Sequence, residues 1–221
     1  MNVQMLFLLS QMLLTILILL TASISADIDP GHKNEYVGLK FGTEVEDHVL
    51  LELDMHPLKE AFSICSWIKR LPHSAIYPYW FGYGTPSVAY EIMMRDDGIY
   101  WIFNKRSDFQ SGVTKPDGKW RHHCVTWAGS SNKFDVYYEG SLIGTVATPS
   151  GRNVGLSGKI ALGNLGTTDG RVTRADTVFG GEMTKLNIFT KALNQTEVRE
   201  MSDAGLCSDF EDQYGLDRYV R

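Results

Sequence analysis

Between residues 36 and 189 the chain is a succession of short apolar runs separated by turn residues, with no long stretch at helical spacing. Runs rich in Val, Ile, Phe, Tyr and Trp occupy residues 36–41, 49–53, 61–68, 90–95, 98–104, 120–127, 133–138, 141–148, 158–162 and 183–189. β-Branched and aromatic residues bounded by Gly, Asp, Asn and Pro read as strands. Many short strands with one helical segment predict an all-β fold: an antiparallel two-sheet jelly-roll sandwich with one short helix.

Two joints have hairpin chemistry. Asp97-Gly98 and Glu139-Gly140 each stand between predicted strands. Gly at the second turn position supplies the positive φ that a tight turn needs. Along 133–138, Phe134, Val136 and Tyr138 share one face and Asp135 and Tyr137 the other. Residues 61–68 are apolar or small on both faces, as in a central strand. The helix is predicted at 194–201, with Leu193, Glu197, Val198 and Met201 near helical spacing. Asn194 is its cap and Glu197 stands at the third helical position, the pattern of a capping box. Asn194-Gln195-Thr196 is also a glycosylation sequon, so two readings compete for the Asn194 side chain.

Residues 3–24 carry no charge, and Ala22, Ser23, Ser25 and Ala26 precede the first charge, Asp27. This pattern predicts a signal peptide at 1–26, cut after Ser25 or Ala26, and a secreted, extracellular product. The alternative is an uncut anchor, because the apolar run approaches bilayer length and no Lys or Arg precedes it. Cleavage leaves a domain at 27–207 and a charged tail at 208–221, with no remaining segment of membrane-spanning length. All of the net charge of −5 lies in this part, without a basic stripe, which argues against nucleic acid as a partner.

The string His122-His123-Cys124-Val125-Thr126-Trp127 resembles the pentraxin signature of His, any residue, Cys, any residue, Ser or Thr, then Trp. His122, Cys124, Thr126 and Trp127 match it, and Gly129 departs from it at the closing Ser or Thr. Upstream, Pro57-Leu58-Lys59-Glu60-Ala61-Phe62-Ser63-Ile64-Cys65 resembles the strand that carries the partner cysteine in that family. Tyr138-Glu139-Gly140, residues 158–163, Phe179-Gly180-Gly181-Glu182, and Leu193 with Glu197 follow in the family's order. The resemblance covers about 36–205. It implies a concanavalin A-like or laminin-G-like sandwich with a Cys65–Cys124 disulfide and assembly into a homo-oligomer, commonly a cyclic pentamer. Cys207 is then the odd cysteine, either a free thiol or a link to another chain.

The resemblance also implies calcium, which takes six to eight oxygen ligands. The matched positions, however, hold Ala89 and Tyr90, then Asn164, Leu165, Gly166 and Thr167, then Arg174 and Thr177. Asp169 and Asp176 are the remaining metal candidates, in the long polar loop 164–178. Solvated loop acids are the plainer reading of both. Arg171 and Arg174 are the ligand-binding candidates, able to grip a phosphate or carboxylate in place of a metal. The group Tyr77, Tyr79, Trp80, Phe81 and Tyr83 either stacks on a sugar or, at alternating spacing, feeds the core.

Catalytic patterns are missing. Glu52-Leu53-Asp54-Met55-His56 lacks the third acid of the Glu-x-Asp-x-Glu glycosidase strand. His122 and His123 are adjacent and point to opposite faces of a strand, so they cannot share a metal. The expectation is therefore a binding protein and not an enzyme. The resemblance implies that its ligand is a carbohydrate or a phosphocholine-like head group, with a role in innate defence. A calcium-independent laminin-G-like adhesion module is the alternative.

Overall fold

The structure is a computed structural model, and it describes residues 38–53, 60–72, 76–102, 107–110, 112, 116–155, 158–165 and 175–207. All of these fall in the compact unit Asn34–Arg221. The expected signal segment 1–26 and the expected tail 208–221 lie outside the described residues.

The described residues form twelve strands and one α-helix. The strands are β1 (Gly38–Phe41), β2 (Val49–Leu53), β3 (Ala61–Arg70), β4 (Tyr79–Thr85), β5 (Val88–Arg95) and β6 (Ile99–Ile102). They continue with β7 (Ser107–Gln110), β8 (Arg121–Ala128), β9 (Lys133–Tyr138), β10 (Ser141–Ala147), β11 (Gly158–Leu162) and β12 (Gly181–Phe189). The helix is α1 (Gln195–Ala204). One sheet has the order β1-β12-β3-β8-β9-β10 and the other β2-β11-β4-β5-β6-β7. Every pairing is antiparallel. The expected jelly-roll sandwich is the observed fold.

Alternation along the strands builds the core. Phe62, Ile64, Val125, Trp127, Phe134 and Val136 of the first sheet meet Phe81, Tyr83, Ile92, Met94, Tyr100 and Ile160 of the second. The opposite face of the first sheet is covered as well. There Cys65, Cys124 and Tyr137 pack with Leu193, Val198 and Met201 in a second cluster under α1. This cover explains why β3 is apolar or small on both faces. It also explains why Tyr137, on the face away from the sandwich interior, is buried.

The β9–β10 turn uses the expected dipeptide. Glu139 and Gly140 both have positive φ, 50° and 70°, which suits the right-handed twist of a hairpin. A Cβ on Gly140 would stand 3.1 Å from the Arg199 backbone and 3.0 Å from the Ser202 Cβ, so the turn also lets α1 approach closely.

The capping box on α1 forms as expected. The Asn194 side-chain oxygen accepts from the amides of Thr196 (2.9 Å) and Glu197 (3.1 Å), and the Asn194 amide donates to Glu197 Oε2 (2.8 Å). Capping occupies Oδ1 of Asn194, whereas a glycan attaches through Nδ2. The two readings set against each other by the sequence therefore use different atoms. Asn194→Ala is expected to lower stability by about 1 kcal/mol, read by urea unfolding. An unchanged midpoint would show that the cap contributes nothing.

Candidate functional site

The family motif turns out to be a strand signature. Cys65 and Cys124 face each other directly in the β3–β8 register and are disulfide-bonded. His122, Cys124 and Thr126 alternate on the face under α1. His122 is buried against the Trp67 ring, with centroids 5.4 Å apart. Trp127 points the other way, into the sandwich, and its Nε1 donates to Thr148 Oγ1 at 3.2 Å. The motif residues are thus spent on packing, His122, Cys124 and Thr126 on the face of the bridge and Trp127 in the sandwich core.

The long loop is clamped at its base. Asn164 is fully buried; its Oδ1 accepts from the Thr177 hydroxyl (2.5 Å) and the Leu165 amide (2.7 Å), and its Nδ2 donates to the Val45 carbonyl (3.3 Å). The Phe179 amide donates to the Gly163 carbonyl at 2.7 Å and closes the same neck. Asn164→Ala leaves the Thr177 hydroxyl and the Leu165 amide without this acceptor, and is expected to cost about 2 kcal/mol. Urea unfolding checks this, and a loss below about 0.5 kcal/mol would mean the clamp is dispensable.

Of the expected site residues, Asp169, Arg171 and Arg174 lie outside the described residues. Asp176 is described, in a short 3₁₀ turn at Ala175–Thr177. Asn164 and Leu165, at positions where the family carries calcium ligands, do not fit a cation. One is committed to the clamp and the other is apolar. Among the described residues, no group of three or more His, Cys, Asp or Glu is placed to hold a metal.

The aromatic group divides. Tyr79, Trp80, Phe81 and Tyr83 are buried in β4, so the core reading holds for them. Tyr77 alone among the five is exposed, at 40%. Its amide donates to the Asp176 carbonyl (2.9 Å), which ties it to the end of the loop. The Arg95 guanidinium lies 4.7 Å from the centre of its ring and 5.7 Å from that of Tyr79. Ile76, at 74% exposure, stands beside it.

Behind this rim is a buried polar cluster. Asp96, 4% exposed, has Arg70 Nε at 3.9 Å and His123 Nε2 at 3.5 Å. His123 Nδ1 is 2.7 Å from the Tyr100 hydroxyl. Arg95 forms an ion pair with Asp97. Burial pushes Asp96 up to about 7, against the pull of Arg70 and with help from Asp97 and Asp117. Burial pushes His122 down to about 4. It pushes His123 down to about 3, with His122 and Arg121 adding to the effect. The sequence marked Asp97-Gly98 as a turn but gave no sign that Asp96 faces inward. The one available signal is His123, an imidazole at the free position of the motif and on the interior face of a core strand.

The glycosidase strand takes an innocent place. Glu52 lies on edge strand β2, its side chain 84% exposed and 3.4 Å from Lys159.

The family model described as the concanavalin A-like lectin/glucanases superfamily matches residues 42–199. The chain belongs to this superfamily. Within it, human neuronal pentraxin-2 is 29% identical over 147 residues, covering 62% of this chain and 32% of that protein. The human pentraxin-related protein PTX3 is 26% identical over 165 residues, covering 69% of this chain and 42% of that protein. The chain thus spans between a third and about two-fifths of the length of these relatives. A native heptameric SAP-like pentraxin from Limulus polyphemus shares the superfamily fold, with a TM-score of 0.59, 20% identity and 80% of each chain covered.

Proposed function

We propose that this domain is a secreted, non-enzymatic, pentraxin-like recognition module for carbohydrate or phosphorylated head groups, working as a homo-oligomer. The observation that carries the reading is Tyr77. It is an exposed ring at the clamped foot of the long loop, stiffened by Arg95 beneath it and by its amide bond to Asp176. A rigid aromatic beside a polar loop suits a sugar ring or a head group. Arg171 and Arg174 of that loop supply the charge for a phosphate or carboxylate, with Asp169 and Asp176 left to a displaced calcium. Repeated copies in a ring strengthen weak single contacts through avidity.

Retention of the mature protein on immobilised phosphocholine and on a glycan panel tests this, with calcium and then with chelator. Retention that falls at least tenfold in Tyr77→Ala supports the reading. Retention on neither surface overturns it. The commitment of Asn164 to the clamp favours a second reading, a calcium-independent laminin-G-like adhesion module. Retention on a protein partner that survives chelator would select that reading. Native mass spectrometry reports the assembly state and, without reductant, any link through Cys207. Peptide mapping reports a glycan at Asn194 and the cleavage site.

A further inference from the structure

Asp96 joins two chains of contacts. On one side its carboxylate faces His123 Nε2 at 3.5 Å, and His123 Nδ1 meets the Tyr100 hydroxyl at 2.7 Å. On the other side its amide donates to the Pro78 carbonyl (3.0 Å), and the neighbouring Tyr77 amide donates to the Asp176 carbonyl (2.9 Å). The first chain crosses from the second sheet to the first, between β6 and β8. The second reaches the foot of the Asn164–Thr177 loop. His123 is 0% exposed, and its Nε2 has no partner within hydrogen-bond distance. Asp96 lies just beyond that distance, so a small rotation of its side chain closes the gap.

An imidazole between a hydroxyl and a carboxyl has two self-consistent arrangements. In the first, Asp96 is a carboxylate, Nε2–H donates to it, and the Tyr100 O–H donates to Nδ1. In the second, Asp96 is a carboxylic acid whose O–H donates to Nε2, and Nδ1–H donates to the Tyr100 oxygen. The second arrangement holds one more proton than the first, taken from solvent, and the imidazole is neutral in both. One proton at Asp96 therefore reverses the polarity of the whole chain and the tautomer of His123.

We propose that Tyr100–His123–Asp96 is a single-proton switch that couples pH near neutrality to the seating of the Tyr77–Pro78 segment against Asp176. The charges facing it are balanced. From β3, Arg70 favours the carboxylate; Asp97, beside it in the turn, and Asp117, ahead of β8, favour the acid. His122 and Arg121 on β8 keep a positive charge off His123. Tyr138 of β9 packs edge-on to the His123 ring, with centroids 5.0 Å apart. With burial added, the Asp96 carboxyl sits at about 7, where it changes state within the physiological range. In the acid state, the side chain sits inside with no buried charge, its O–H directed at His123 Nε2, and the Asp96–Pro78 amide contact holds. In the carboxylate state, the cost of burying the charge outweighs the attraction to Arg70 and the segment loosens.

The test uses the unaltered chain first. Nitrogen NMR of histidine-labelled protein, from pH 5.5 to 8.5, reads the tautomer of His123 directly. The switch requires Nε2–H at high pH and Nδ1–H at low pH. One tautomer throughout, or an imidazolium, overturns it. Hydrogen exchange, corrected for intrinsic pH dependence, then reads the coupling at residues 76–80 and 175–179. We expect exchange there at least threefold faster at pH 8.5 than at pH 5.5, with the β3 and β8 amides unchanged. In Asp96→Asn the step should vanish. In Tyr100→Phe, which keeps the ring and the carboxyl, its midpoint should move by at least half a pH unit. A step that persists unchanged in Tyr100→Phe overturns the proposal even if the Asn variant does not fold.

Discussion

Reduction of the Cys65–Cys124 bridge is expected to lower the unfolding free energy by about 4 kcal/mol. The two cysteines are 59 residues apart, and chain-entropy bookkeeping for a closed loop of that length gives this size. The effect acts mainly on the unfolded chain, so the folded arrangement should persist. Cys65 and Cys124 are already neighbours in an eight-residue antiparallel register running from Ala61↔Ala128 to Ile68↔Arg121. The sandwich core lies on the other face of these strands, away from the sulfurs. Urea unfolding with and without reductant measures the loss, and far-UV circular dichroism checks the fold. Replacing both cysteines by alanine should cost slightly more than reduction. The sulfurs are fully buried against Leu193, Val198 and Met201, and alanine leaves that space underfilled. A loss below about 1 kcal/mol would mean that the unfolded chain is already compact around this loop. A Cys65–Cys207 link in non-reducing peptide mapping would contradict the register itself.

The strands that could be read from the sequence are those whose burial pattern is local. Lys133–Tyr138 alternates because its two faces meet different surroundings, the sandwich core and α1. β4 carries the aromatic group, for which the sequence leaves a core-feeding strand and a sugar-stacking surface as alternatives. Tyr79–Thr85 is buried throughout, so the alternation that marks a half-buried strand is missing. Gly82 within it lies under the Leu165 side chain, 3.7 Å from where a Cβ would stand. β7, Ser-Asp-Phe-Gln, has no apolar run; it is a strand because it pairs with β6. The polar cluster was illegible for a different reason. Asp96 and His123 are 27 positions apart (123 − 96), one in the turn after β5 of the second sheet and the other on β8 of the first, so only the packing of one sheet on the other brings them together. Asp96 and Asp97 read alike as turn acids, and the fold alone makes one of them internal. Tyr77 shows the same limit in reverse. Its aromatic neighbours enter the core, and only its position ahead of β4 leaves it at the surface.

Acidification from pH 6.5 to pH 4 is expected to remove about 3 kcal/mol of stability, and the sign follows from three buried groups. His122 and His123 have folded values of about 4 and about 3, below the usual 6.5, because burial disfavours the imidazolium. The unfolded chain takes up these two protons first. Their contribution is complete above pH 6.5 and is lost as the pH falls toward the folded values. Asp96 runs the other way. Its folded value is raised from 3.8 to about 7, so its contribution is complete below 3.8 and is lost as pH rises through 7. Between 6.5 and 4, two histidines oppose one aspartate. The balance is one proton, about 1.4 kcal/mol per pH unit. Glu91, raised by burial despite its contact with the Gly155 amide, has the same sign as Asp96 and softens the slope. Urea midpoints across this range read the net effect, and stability that is flat or rises on acidification would contradict it. In Asp96→Asn the opposing proton is gone, so the slope should roughly double toward that of the two histidines alone. The same substitution removes the switch proton from the Tyr100–His123 chain. One variant therefore separates the bulk acid response of the fold, which steepens, from the local response at Tyr77, which disappears.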